Sequence, residues 1–156
     1  MSTRLGRTAR SAATIALVAA IAIGSPAMAV DTPVETNSPD LASVRAKVKA
    51  KDFKGAIEEL TPMLQTHQHA DVYNLLGFSY RKSGDYKQAA TFYAKALDFD
   101  SDHLGALEYQ GEMFVELGQI DRAKANLAKL VKLCPYGCEE REDLEKAIAG
   151  AAKPKG

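Results

Sequence analysis

Six positions of this chain recur at one fixed spacing. Gly77, Tyr80, Gly84, Ala89, Tyr93 and Ala96 return 34 residues later as Gly111, Phe114, Gly118, Ala123, Leu127 and Leu130. Small residues fall on small ones and bulky on bulky, with Ala96 to Leu130 the exception. A weaker copy lies 33 residues upstream, where Lys51-Asp52-Phe53-Lys54-Gly55-Ala56 echoes Gly84-Asp85-Tyr86-Lys87-Gln88-Ala89 and Leu60 stands in for Tyr93. A unit of this length, built of two short helices, cannot bury its own apolar face. Neighbouring units must therefore stack.

The residues assign roles within each unit. Gly77 and Gly111, with Ala89 and Ala123, leave space where helices cross closely, and Tyr80, Tyr93, Phe114 and Leu127 fill the surroundings. Gly84 and Gly118 end the first helix of each pair, Asp85 caps the second, and Pro135 stops the last. Ser38-Pro39-Asp40 is a helix-start signal. The spacing predicts helices over 41–50, 53–65, 71–82, 86–98, 105–117 and 120–133. Leu144, Ala147, Ile148 and Ala151 form one apolar stripe in a further helix over 139–151, expected to cover the open end of the stack.

On these residues the chain resembles the tetratricopeptide repeat family. Tyr73, Leu76, Gly77, Tyr80, Ala89 and Tyr93 follow the family pattern in order, with Ser101 where Pro is usual. Leu107, Gly111, Phe114, Ala123, Leu127 and Pro135 follow it again, with Gln110 where Leu is expected. The first copy departs more, with Asp40, Val44 and Lys47 at three key positions. The resemblance implies an all-α, right-handed superhelix of stacked antiparallel helix pairs, about three repeats plus a C-terminal capping helix. Its segments are 38–69 (degenerate), 70–103, 104–137 and the cap at 138–151, together a domain over 38–151, with a tail at 152–156.

The resemblance also implies a concave groove, lined by the first helix of each pair, that holds a peptide or protein partner. The positions carried over are Asn74, Phe78, Arg81 and Lys82 in the central repeat, and Glu108, Glu112, Val115 and Glu116 in the next. In the degenerate repeat they are Arg45 and Lys49, with Leu41 and Val48 beside them. Glu108, Glu112 and Glu116 are four apart and share one helix face. The groove is expected to be basic toward its N-terminal end and acidic toward its C-terminal end, unless these are merely solvated faces. Asn74 matches one position of family members that clamp a terminal carboxylate. The other clamp positions are not reproduced, and that activity is not expected.

Ahead of the repeats, Arg4, Arg7 and Arg10 precede an apolar run from Ala12 to Ile23, then Gly24-Ser25-Pro26 and Ala27-Met28-Ala29. This is the layout of a secretory signal over 1–29, cut between Ala29 and Val30, with 30–37 a flexible linker. The run is shorter than the roughly 20 residues that cross a bilayer, which disfavours the rival reading of an uncleaved anchor. The expected location is periplasmic or secreted, with no membrane insertion after cleavage. The whole chain has 20 basic and 20 acidic residues. All three Arg of the signal are lost with it, leaving a charge of −3 and no basic excess to recruit nucleic acid.

Cys134-Pro135-Tyr136-Gly137-Cys138 is the one local motif with possible chemistry. Pro135 and Gly137 bring the sulfurs together, and in an oxidising compartment a structural disulfide is the default. A redox pair and a metal site stay open as alternatives, the latter needing two more ligands. His67, His69 and His103 fall at repeat junctions, where they are expected to face solvent. His67 and His69 lack a third ligand for copper or zinc. No catalytic order of nucleophile and base and no phosphate loop is present. The expectation is a non-enzymatic scaffold without cofactor or metal. The alternative is a thiol-redox or metal-handling accessory protein using Cys134 and Cys138.

Overall fold

The computed structural model describes residues 39–152, and the expected signal, linker and final tail residues lie outside them. Seven helices follow one another among the described residues, with no strand between them. They are α1 (Ala42–Lys49), α2 (Phe53–Met63), α3 (Ala70–Lys82), α4 (Tyr86–Phe99), α5 (Leu104–Glu116), α6 (Ile120–Leu133) and α7 (Glu139–Ala151). The pairs α1/α2, α3/α4 and α5/α6 are three hairpins, and each packs on the next. The architecture is the all-α helical repeat expected from the spacing.

The turn inside each hairpin has one geometry. In α1, Lys51 N–H bonds to Val48 C=O (3.0 Å) and Asp52 N–H to Lys47 C=O (2.9 Å). Gly84 and Asp85 repeat this on Arg81 and Tyr80, and Gly118 and Gln119 on Val115 and Phe114. This pair of bonds satisfies carbonyls left over at the helix end, and it requires a residue at positive φ. Gly84 (φ 85°) and Gly118 (φ 71°) supply it without strain. In the degenerate repeat Lys51 adopts the same conformation at φ 61°. The turn is thus retained where its glycine is not.

The second helices of the first two hairpins start on side-chain caps, whereas Gln119 ahead of α6 makes no such bond. Asp52 Oδ1 accepts from Gly55 N (2.9 Å) and Asp85 Oδ1 from Gln88 N (3.0 Å). Helix α2 ends at Met63, short of the expected residue 65. Pro62 has no N–H to continue the ladder, and the chain tightens through bonds from Leu64, Gln65 and Thr66 to carbonyls three residues back.

The core runs between the hairpins. Val44, Ala56, Leu60, Val72 and Leu76 join the first two, Tyr93, Met113, Phe114 and Ala123 the last two. Gly77 sits under Tyr93, so close that a Cβ would come within 2.6 Å of the ring. At Gly111 the filling residue is not Leu127, as the repeat spacing implies. It is Leu144 of α7, whose Cδ2 would lie 2.5 Å from a Cβ. Helix α7 crosses α5 and α6 where a further repeat would otherwise sit. Leu107, Leu130 and Leu144 are buried together in that contact.

Candidate functional site

Helices α1, α3 and α5 present their inner faces to one groove. Between them lies a pocket of about 220 Å³ lined by Arg45, Val48, Lys49, Leu75, Phe78 and Tyr109. Its aromatic wall is continuous: Phe78 packs at 6.2 Å from Phe53 and 4.9 Å from Tyr109, centroid to centroid. The Lys82 ammonium stands 5.4 Å over the Phe78 ring. Arg45, Lys49 and Lys82 are exposed at the rim. Among the described residues Arg45 pairs with one acid, Asp71, at 3.9 Å.

Arg81 behaves differently from its basic neighbours. Its side chain is only 1% exposed, and it donates to Glu112 Oε2 (2.6 Å) and Glu116 Oε1 (3.0 Å). The guanidinium also lies 5.5 Å from Phe78 and 5.9 Å from Tyr109, over both rings. A guanidinium fork suits this double carboxylate contact, which ties α3 to α5. Arg81 Nε and the neighbouring Tyr93 hydroxyl are buried without hydrogen-bond partners.

Glu108 is buried on the same face of α5. Loss of water around its carboxyl, reinforced by Glu112, Asp143 and Glu140, pushes its pKa up to about 8, against the pull of Arg81. The acidic end expected of the groove is therefore compensated in part from within, one Arg81 charge standing against two carboxylates. Two of its three glutamates hold Arg81, and the third resists ionisation. Asn74 is buried with its Oδ1 unpartnered, beside Gly105. Val115 packs partly against the core cluster of Tyr93 and Phe114. Of the residues expected in the groove, Arg45, Lys49 and Phe78 meet in one pocket, with Lys82 over its Phe78 wall. Arg81, Glu112 and Glu116 meet in a separate ion-pair cluster. Tyr109 was not foreseen because it leans in from the next hairpin, which helix period does not give, and Leu75, one turn before Phe78 on α3, was not assigned to the groove.

His103 departs from the solvent-facing expectation, while His69 keeps 42% of its side chain exposed, and both cap helices. His69 caps α3, its Nδ1 accepting from Asp71 N (3.2 Å). His103 caps α5, its Nδ1 accepting from Ala106 N (3.1 Å), which places the proton on Nε2 to donate to Asp71 Oδ1 (3.0 Å). Only 15% of the His103 side chain is exposed. These residues line a second, larger cavity of about 540 Å³ at the starts of α3 and α5, with Asp100, Asp102 and Glu140 on its walls. Among the described residues no three His, Cys, Asp or Glu side chains form a group that could hold a metal ion. Cys134 and Cys138 stand at disulfide distance with Cα atoms 5.8 Å apart, between α6 and α7. Arg141 Nη1 donates to the Cys134 carbonyl (3.3 Å) across the same turn.

Models of the tetratricopeptide repeat match residues 70–103 and residues 106–135. The chain is a tetratricopeptide-repeat protein. The two matches cover the second and third hairpins, and the α1/α2 hairpin extends the same stack ahead of them. No curated protein matches the sequence. Tetratricopeptide-repeat proteins are in general non-enzymatic scaffolds, and the repeats here point to a scaffold for protein–protein interaction. No helix among the described residues is long and apolar enough to cross a membrane.

Proposed function

We propose that this tetratricopeptide-repeat protein is an exported, non-enzymatic scaffold that holds a peptide or protein segment in its concave groove. The observation that carries this reading is the pocket of Val48, Leu75, Phe78 and Tyr109, open to solvent and ringed by cations. An apolar cavity with a few placed polar groups is the usual form of a recognition site. Preformed helices present it, so little ordering entropy is lost on binding. Export is supported by the sequence over 1–29, with cleavage between Ala29 and Val30. In that setting Cys134 and Cys138 form a disulfide that fixes the angle at which α7 docks.

Photo-crosslinking in cells tests the groove. A photoreactive residue at Lys49 or Lys82 captures partner protein, whereas one at Lys87 or Lys124, on the second helices, does not. Equal capture from both sets of positions removes the groove reading. Recovery of a chain starting at Val30 from the cell envelope tests export, and recovery of an intact N-terminus from the cytoplasm ends it.

A further inference from the structure

We infer that the groove selects a segment carrying side-chain carboxylates next to an apolar residue, docked on the half formed by α1 and α3. This inference rests on the groove reading above. Three exposed cations, Arg45, Lys49 and Lys82, surround the apolar floor of Val48, Leu75 and Phe78. Among the described residues Asp71 is the one acid paired with any of them, at 3.9 Å from Arg45, too long for a hydrogen bond. The groove's own acids offset this field only in part, since Arg81 cancels one of the two charges on Glu112 and Glu116. Glu112 and Glu116 are held by the buried Arg81, and Glu108 lies buried behind them.

A positive rim around a low-dielectric pocket attracts anions and sets their register. Charge alone does not fill the pocket. Its 220 Å³ between Phe78 and Tyr109 calls for one apolar side chain inserted among the carboxylates. A segment with carboxylates at both ends of such a residue places one acid near Arg45 and Lys49 and another near Lys82. No chain terminus is required.

Fluorescence polarisation with labelled peptides capped at both ends tests this. The probes are DELFDE, GSLFGS, DEGSDE and KKLFKK. DELFDE is expected to bind the purified protein about tenfold more tightly than GSLFGS or DEGSDE, and KKLFKK most weakly. Its affinity falls as salt rises from about 50 to about 300 mM. Joint substitution Arg45→Glu, Lys49→Glu and Lys82→Glu, all at exposed positions, weakens DELFDE about tenfold or more and strengthens KKLFKK. If GSLFGS or KKLFKK binds as tightly as DELFDE and Phe78→Ala abolishes that binding, the acid preference is overturned while the groove reading stands. If DEGSDE equals DELFDE, the apolar anchor is overturned. If no peptide responds to Phe78→Ala, both readings fall. Salt-independent binding of DELFDE to the unaltered protein overturns the inference without recourse to any variant.

Discussion

The Tyr93 ring lies directly against Gly77, where a Cβ would come within 2.6 Å of its Cδ1. Tyr93 is fully buried, so its ring cannot move outward. Gly77→Ala therefore overpacks the second hairpin. The expected cost is about 1–3 kcal/mol, against roughly 1 kcal/mol gained from helix propensity. Gly111→Ala meets the branched end of Leu144 instead and costs less, because a side-chain tip yields more readily than a ring. Urea denaturation of the two variants checks the order.

Lys51 holds the positive-φ turn that Gly84 and Gly118 hold in the other hairpins. Lys51→Gly relieves a conformation that costs a non-glycine residue about 1 kcal/mol and is expected to stabilise the fold by about that amount. The same substitution at Lys49, inside α1, destabilises by about 0.5–1 kcal/mol. Comparing the two denaturation midpoints separates turn relief from any effect of lost charge.

Arg81 is the buried charge that joins the second and third hairpins. Arg81→Met leaves Glu112 and Glu116 facing each other and Glu108 without its nearby cation. The expected loss is about 2–4 kcal/mol, lower than for a fully buried pair because both partners keep some water. Replacing Glu112 by Gln in the same chain recovers part of it. A double-mutant cycle reads the coupling, and strictly additive effects would show that the pair contributes nothing.

Glu108 binds its proton more tightly folded than unfolded, since its pKa rises from 4.5 to about 8. The stability this contributes is complete below the lower value and is lost as pH rises through the upper one. The slope is up to about 1.4 kcal/mol per pH unit in between. Glu108→Gln removes that dependence and makes the variant the more stable protein at about pH 9. Parallel denaturation curves at about pH 5 and about pH 9 check this, and an unchanged wild-type midpoint contradicts it.

Loss of the proposed disulfide removes a very short loop. Cys134→Ser with Cys138→Ser lowers stability by about 2 kcal/mol in the chain-entropy model. The groove pocket lies on α1, α3 and α5, away from this turn, so peptide affinity is expected to hold. Labelling of free thiols on protein from an oxidising compartment checks the premise, and full labelling without reductant removes it.

What the sequence made legible was whatever repeats. The 34-residue spacing located six helices to within about two residues, the cap among the remainder, and the turns at Gly84 and Gly118. The groove face came from the family resemblance and not from the spacing, and of the residues it implied Arg45, Lys49 and Phe78 share one pocket. What escaped it depends on partners from another hairpin. No spacing says that Arg81 would reach Glu112 and Glu116, that Leu144 would take the place of Leu127 over Gly111, or that Tyr109 would lean on Phe78. The histidines escaped for a local reason. An imidazole Nδ1 serves as a helix cap only when the backbone ahead of it is extended, as at His69 and His103, and side-chain type alone does not reveal that.

Leu144 has one more consequence. By occupying the notch at Gly111, α7 takes the seat that an added hairpin would need. A hairpin spliced in before Leu104 would meet familiar seams on both sides and leave the lid in place. One fused beyond Ala152 would find its berth already filled. Duplication can lengthen this array from its interior, and its carboxyl end is closed to growth.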